Sequence, residues 1–306
     1  MSLYLKYRPY DLSQVKGNAD VISSLEGLFD EKKPKVLPHV FLLHGQTGCG
    51  KTTVGRIIAN MLGCVGEDFV EINSASFRGI DTVREIINNS QFMPIEGLCR
   101  VWLIDECHKL TNDAQNALLK ILEDTPSHVY FILCTTEPQK LIATIKGRCV
   151  QFQLLPLNET ELKQLLRRVA HKEGEELEDN VLDQIVGSSK GFPRNALQIL
   201  EVVLSATPEN RLETAKKAEA EVIQSIELCR ALSKKAPWSQ IAKILEGLKD
   251  QEPEGIRRAV LGYCQAVLLK GTDQPLFGLI MEEFMTPTYD SGFIQITYAC
   301  YSICKA

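Results

Sequence analysis

The sequence predicts an α/β nucleotide-binding core with a mostly parallel sheet, followed by further all-helical domains. Three observations carry that expectation. An apolar run, Val40-Phe41-Leu42-Leu43-His44, leads directly into a glycine-rich loop and then into residues at helical spacing. Strand-like and helix-like segments alternate from there to Leu154, the pattern of a parallel sheet with helices on both faces. After Pro156 the strand signal stops and helical spacing runs to the end of the chain.

The elements follow in order. Val54, Ile57, Ile58, Met61 and Leu62 mark the helix after the loop. Phe69-Val70-Glu71-Ile72 is a second strand, Asp81 to Asn89 a helix, and Arg100 to Ile104 a third strand. Thr111 suits the cap of a helix ending near Glu123, with Ala114, Ala117, Leu118, Ile121 and Leu122 on one face. Val129 to Cys134 and Val150 to Leu154 are the fourth and fifth strands. In such sheets the ligand site lies beyond the carboxyl ends of the strands. Helices are then expected over Asn158–Lys172, Glu178–Ser188 and Arg194–Ser205. Residues 207–220, polar and charged, read as a linker or an exposed helix start. Later helices are broken near Pro237, Pro253 and Gly271–Pro275. The last, Phe293 to Cys304, is apolar and aromatic and fits either ordinary core or an oligomer seam. The expected domains are residues 1–156, 157–218 and 219–306.

Composition narrows the class. A chain of 306 residues has room for two or three domains, and 44% hydrophobic with 24% charged residues suits globular ones. The net charge of -5 excludes a chain-wide basic signature for nucleic acid, though not local basic patches. No apolar run reaches the roughly 18 residues of a membrane span. Met1 to Pro9 lacks the apolar segment of a signal peptide, so no membrane association and a cytoplasmic location are expected. Ten cysteines are scattered with no C-x2-C pair, which speaks against structural zinc and a disulfide framework. Cys99, Cys134 and Cys149 read as small buried hydrophobes.

The loop Gly45-Gln46-Thr47-Gly48-Cys49-Gly50-Lys51-Thr52 is a complete phosphate-binding loop, and Thr53 continues it into the helix. Its glycines let backbone amides wrap phosphates, Lys51 reaches the β and γ phosphates, and the Thr52 hydroxyl suits Mg2+. The helix after it presents its positive end to the anion. In Leu103-Ile104-Asp105-Glu106, Asp105 ends a strand and suits the same Mg2+, while Glu106 can orient an attacking water. ATP with Mg2+ is the expected ligand, and hydrolysis the expected reaction. Thr135, ahead of Thr136, is placed to contact the γ-phosphate or the water, unless it merely ends a strand. Arg148 in Lys146-Gly147-Arg148-Cys149 and Arg194 in Gly191-Phe192-Pro193-Arg194 are either phosphate-reaching guanidinium groups or surface residues.

Taken together these motifs resemble the sliding-clamp-loader ATPases of the AAA+ class. Leu118-Leu119-Lys120-Ile121-Leu122-Glu123, Thr135-Thr136-Glu137-Pro138-Gln139-Lys140-Leu141 and Gly147-Arg148-Cys149 are similar to the bacterial DNA polymerase III gamma/tau subunit. Ile72-Asn73-Ser74 and the segment Arg78 to Arg84 are more similar to replication factor C small subunits, and Tyr7-Arg8-Pro9 with Val15 and Gly17 fits both. The resemblance is strong over residues 4–200. It implies an ATPase core, a helical lid and an oligomerising collar. It also implies Lys51 and Thr52 as Walker A, Asp105 and Glu106 as Walker B, Thr135 and Arg194 as sensors, and Arg148 as an arginine finger for a neighbouring subunit. Tyr7, Arg8, Pro9 and Val15 then lie near the adenine. The implied partners are other loader subunits in a pentamer, a sliding clamp and primer–template DNA, whose backbone Arg78 and Arg84 track. For Arg78 a surface or intersubunit salt bridge is the other reading. Phe92-Met93-Pro94-Ile95 falls where such loaders touch the clamp, or else packs in the core.

The departures are a glycine in place of the usual serine before Arg148, and only Cys64 and Cys99 where gamma/tau carries a four-cysteine zinc module. A compact subunit of phage, viral or divergent bacterial type fits them. Two other classes remain: a different AAA+ DNA-remodelling motor, such as a branch-migration enzyme, and a non-catalytic scaffold of a replication complex.

Overall fold

The computed structural model of the protein describes residues 2–30, 37–74, 79–249, 251, 253–268, 275–288 and 291–305. The chain divides into two compact units, Met1–Leu212 and Glu213–Ala306.

In the first unit a short helix α1 (Leu3–Lys6) and α2 (Ala19–Leu28) precede the sheet. The strands are β1 (Val40–His44), β2 (Phe69–Asn73), β3 (Arg100–Asp105), β4 (Val129–Thr135) and β5 (Val150–Gln153). All pairings are parallel, in the order β2-β3-β4-β1-β5, with Leu42 beside Leu133 and Gln151, and Leu103 beside Ile132. The central strands are uninterrupted apolar runs because both faces are covered. Phe41, Leu43, Val101, Leu103, Ile132 and Cys134 belong to one core, and Val40, Leu42, Trp102, Ile104, Phe131 and Leu133 to the other. Each such side chain contributes roughly 1.5–3 kcal/mol by leaving water, so alternate residues of one strand stabilise opposite layers.

Helix α3 (Lys51–Met61) covers the first face through Val54, Ile57 and Ile58. Helices α4 (Ile80–Asn89) and α5 (Asn112–Glu123) cover the second through Val83, Ile86, Ala114 and Leu118. Thr111 caps α5 as its sequence position predicts, its hydroxyl accepting from Ala114 N–H at 3.2 Å. The one-turn α6 (Ala143–Lys146) leads into β5.

Three helices complete this unit: α7 (Glu159–Lys172), α8 (Asp179–Ser189) and α9 (Pro193–Ser205). Asn158 and Glu161 form a reciprocal capping box at the start of α7, both bonds 2.9 Å. Leu162, Leu166, Leu182, Ile185 and Leu200 are buried among them. The residues expected to be a linker or helix start instead hold a short 3-10 turn, Pro208–Asn210, and the first turns of α10 (Arg211–Ser233). Arg211 is buried there because its guanidinium is held by Glu175 and the Glu176 carbonyl. Residues 157–212 of the expected lid share a compact unit with the nucleotide-binding core, and residues 213–218 belong to the second unit.

The second unit contains α11 (Trp238–Leu248), α12 (Pro253–Leu268), α13 (Pro275–Phe284) and α14 (Phe293–Lys305). Ile296, Ala299, Cys300 and Ile303 put one face of α14 in the core, while Ile294 and Tyr298 lie exposed. Both readings of this apolar segment therefore have a face to rest on. Among the described residues no helix is long and apolar enough to cross a membrane.

Candidate functional site

The site begins where β1 ends. Gly45 sits at φ +149°, and a Cβ there would lie 2.1 Å from the Leu154 carbonyl oxygen, so only glycine fits beside the residue that follows β5. Gly50, at φ +97°, is the N-cap of α3 and supplies no side-chain cap. The first-turn amides of α3 are thereby left for a ligand, and the helix dipole adds positive potential. Lys51 is only 6% exposed, and its Nζ donates to the carbonyls of Gly45 and Gln46, both at 3.0 Å. An anion in the loop competes with these carbonyls for the ammonium.

Strand β3 brings up the acidic pair. Thr52 Oγ1 donates to Asp105 Oδ2 at 2.9 Å, and Asp105 Oδ1 accepts from Glu106 N–H at 2.9 Å. A hydroxyl and a carboxylate oxygen in contact form a hard donor set that suits Mg2+. Glu106 has left-handed backbone, φ 52° and ψ 39°, a costly conformation for a residue with a Cβ. Its Oε2 accepts from Thr136 Oγ1 at 3.2 Å.

The two threonines at the end of β4 differ in their surroundings. Thr135, the favoured candidate, is fully buried, and its hydroxyl oxygen accepts from Glu137 N–H and lies 3.0 Å from His108 Nδ1. Register explains this: Thr135 is the last β4 residue paired to β1, opposite His44. Thr136, one residue on, is the one that reaches Glu106.

A single cleft of the first unit joins loop residues Thr47 to Thr53 with Asp105 and Glu106. Its far wall is made by Tyr7, Arg8, Pro9 and Val15, and Arg194 closes it from α9. The N-terminal segment is tied to the helical layer, with Lys6 Nζ 2.7 Å from Glu173, Tyr7 OH donating to the same carboxylate, and Leu3 N–H donating to Glu201 at 3.2 Å. The Arg194 guanidinium lies 5.8 Å from the centre of the Tyr4 ring, within cation–π range. Burial, and next the nearby Arg56, lowers the pKa of Arg8, with Arg194 adding to the effect. Cations are thus crowded beside a loop built for an anion. Tyr4, His108 and Glu137 carried no signal in the sequence as members of this site, although His108 stands only two residues from Glu106.

Other expected site residues lie elsewhere. Arg148 precedes β5, at the strand end opposite the cleft, where it donates to the Thr144 carbonyl at 2.8 Å and pairs with Glu123. Arg84 is exposed and paired with Asp81 at 2.9 Å, while Arg78 lies outside the described residues. Phe92, Met93, Ile95 and Leu98 are exposed rather than packed in the core. Their loop is pinned by buried Asp68, which accepts from the N–H groups of Ile95, Glu96 and Gly97 at 2.8–2.9 Å and pairs with Arg100 at 3.3 Å.

The family described as DNA polymerase III, delta subunit, matches residues 67–158. The DNA polymerase III subunit gamma/tau of Mycobacterium tuberculosis is 32% identical over 69% of this chain and 40% of its own length. The subunit tau/gamma of Haemophilus influenzae is 36% identical over 65% of this chain and 32% of its own. The chain therefore spans well under two thirds of these relatives. Among solved structures, the Thermotoga maritima RuvB Holliday junction branch migration motor superposes with a TM-score of 0.60 at 22% identity, over 74% of this chain and 79% of that one. The fold is that of an AAA+ P-loop ATPase. In sequence the chain is similar to gamma/tau subunits, and with the RuvB motor it shares the fold.

Proposed function

We propose that this AAA+ chain is an ATP-hydrolysing subunit of an oligomer that works on DNA. The observation that carries the proposal is the cleft where the glycine loop, the Thr52–Asp105 contact, Glu106 and Arg194 converge. Lys51 binds the β and γ phosphates of ATP, and Tyr7, Arg8, Pro9 and Val15 flank the base. Thr52 and Asp105 would hold Mg2+, which neutralises charge on the phosphate oxygens. Glu106 orients the attacking water. Arg194 reports phosphate occupancy from the helical layer, Thr135 serves the γ-phosphate or the water, and Thr136 steadies Glu106. Arg148, remote from its own chain's cleft, serves the site of a neighbouring subunit. In working parts, residues 1–156 form the core, 157–218 a lid and 219–306 a collar that holds the oligomer.

Two finer readings divide the support. The motif resemblance and the gamma/tau relatives support a clamp-loader motor that places a ring clamp on primer–template DNA, with Arg84 and Arg78 along the duplex and Phe92 to Ile95 on the clamp. The structural neighbours favour the other reading, a branch-migration motor, although a likeness at 22% identity speaks for fold alone. ATPase assays of the assembled protein separate them. Stimulation by a ring clamp with primed DNA supports loading, and stimulation by a four-way junction with strand movement supports branch migration. Turnover indifferent to both, or equal in a lone monomer, overturns the proposal.

A further inference from the structure

The imidazole of His108 is buried, its side chain 5% exposed, between two carboxylates. Its Nδ1 lies 3.3 Å from Glu106 Oε2 and 3.0 Å from Thr135 Oγ1. Its Nε2 lies 3.4 Å from Glu137 Oε1, and the other oxygen of Glu137 is 3.0 Å from Lys140 Nζ. Burial lowers the pKa of His108, so one ring proton must serve two faces. Lys140 neutralises Glu137, which makes a bare nitrogen tolerable on that side. Among the described residues no lysine or arginine pairs with Glu106, and its Oε2 already takes a hydrogen bond from Thr136. A proton on Nδ1 faces Thr135 Oγ1 at 3.0 Å and Glu106 Oε2 at 3.3 Å, and of the two the carboxylate is the charged acceptor. Oε1 takes no hydrogen bond among the described residues, and Glu106 lines the cleft, where a base needs a lone pair for a water proton.

We infer that His108 is a positioning residue for hydrolysis, whose Nδ1–H, with the Thr136 hydroxyl, fixes Glu106 through Oε2 and leaves Oε1 to receive the proton of the attacking water. The bond that forms is water oxygen to the γ-phosphorus; the γ–β bridging bond breaks, ADP leaves, and the water proton passes to Glu106. The inference rests on the ATPase reading above and deepens it. It also gives the strained backbone of Glu106 a purpose, since the left-handed turn brings the carboxylate back to a ring two residues on.

The test uses the assembled full chain and three variants. The side-chain nitrogen of Asn occupies the place of Nδ1, and that of Gln the place of Nε2. His108→Asn is expected to keep kcat within about threefold, whereas His108→Gln and His108→Ala lose about 10- to 100-fold, the scale of a misplaced reacting group. KM and ATP affinity, measured by equilibrium binding, are expected to stay within about twofold, because a group that acts through the base does not touch bound ATP. Gln matching or exceeding Asn, full turnover by Ala, or a loss in affinity rather than kcat overturns the inference. Should the Ala variant fail to fold, the order of Asn and Gln decides alone. A wild-type assembly that binds ATP and never hydrolyses it removes the ATPase reading, and this inference with it.

Discussion

Lys51 and Glu106 separate binding from chemistry. Lys51→Ala removes a buried ammonium whose phosphate contacts are worth about 1.5–3 kcal/mol each, so ATP affinity should fall at least about tenfold by isothermal titration. Glu106→Gln should keep that affinity and slow hydrolysis by about 10²–10⁴-fold, the range for loss of a positioned base; single-turnover phosphate release measures it. These two residues were legible in the sequence because loop and acidic pair are contiguous strings with a chemical meaning of their own. The sequence put Thr135 ahead of Thr136 on position alone and gave no sign of which one meets Glu106. Thr135 is held in register as the last residue of β4, and only where that strand ends decides that Thr136 meets Glu106.

The loop before β3 shows what an element adds. Burial alone would raise the Asp68 pKa, but the amides of Gly97, Glu96 and Ile95, and then Arg100, outweigh it and hold it at about 2. A depressed carboxylate stabilises the fold fully above its ordinary value of 3.8, and that share is lost as the pH falls toward about 2. Thermal melting followed by circular dichroism should therefore decline over this acid window, and Asp68→Asn should flatten that part of the decline. At neutral pH the same variant should cost about 3 kcal/mol, the loss expected when one partner of a buried pair goes, and should loosen the exposed Phe92 to Leu98 surface. The strands and α5 were readable from period and cap. The pinning of this loop was not, because Asp68 meets residues 27–29 positions away.

At the scale of the molecule, Arg148 and the outer face of α14 both look outward from their own units. Arg148→Ala should leave ATP binding by the isolated chain unchanged and reduce turnover of the assembly by about 10³-fold or more, the usual loss of a trans arginine. The defect should appear at a wild-type neighbour's site in mixed assemblies, and equal turnover of variant and wild type would remove the assignment. Ile294→Glu with Tyr298→Glu should shift the assembly toward monomer in sedimentation while the melting temperature stays within about 2 °C, because exposed positions change stability by less than about 0.5 kcal/mol. The gain of an oligomer seam was open in the sequence, since an amphipathic helix and a core helix share the same apolar content.

The sequence by itself determined the glycine loop, the acidic pair, the strand order along the chain and the turn to all-helical structure after Pro156, since each is written in neighbouring residues or in their period. Tertiary structure alone decided which threonine meets Glu106, that Tyr4 faces Arg194, that His108 stands between two carboxylates, and that Arg148 lies away from its own cleft. Those contacts join residues far apart in the chain, and a sheet's register and a helix's packing set their distances, which no local pattern records.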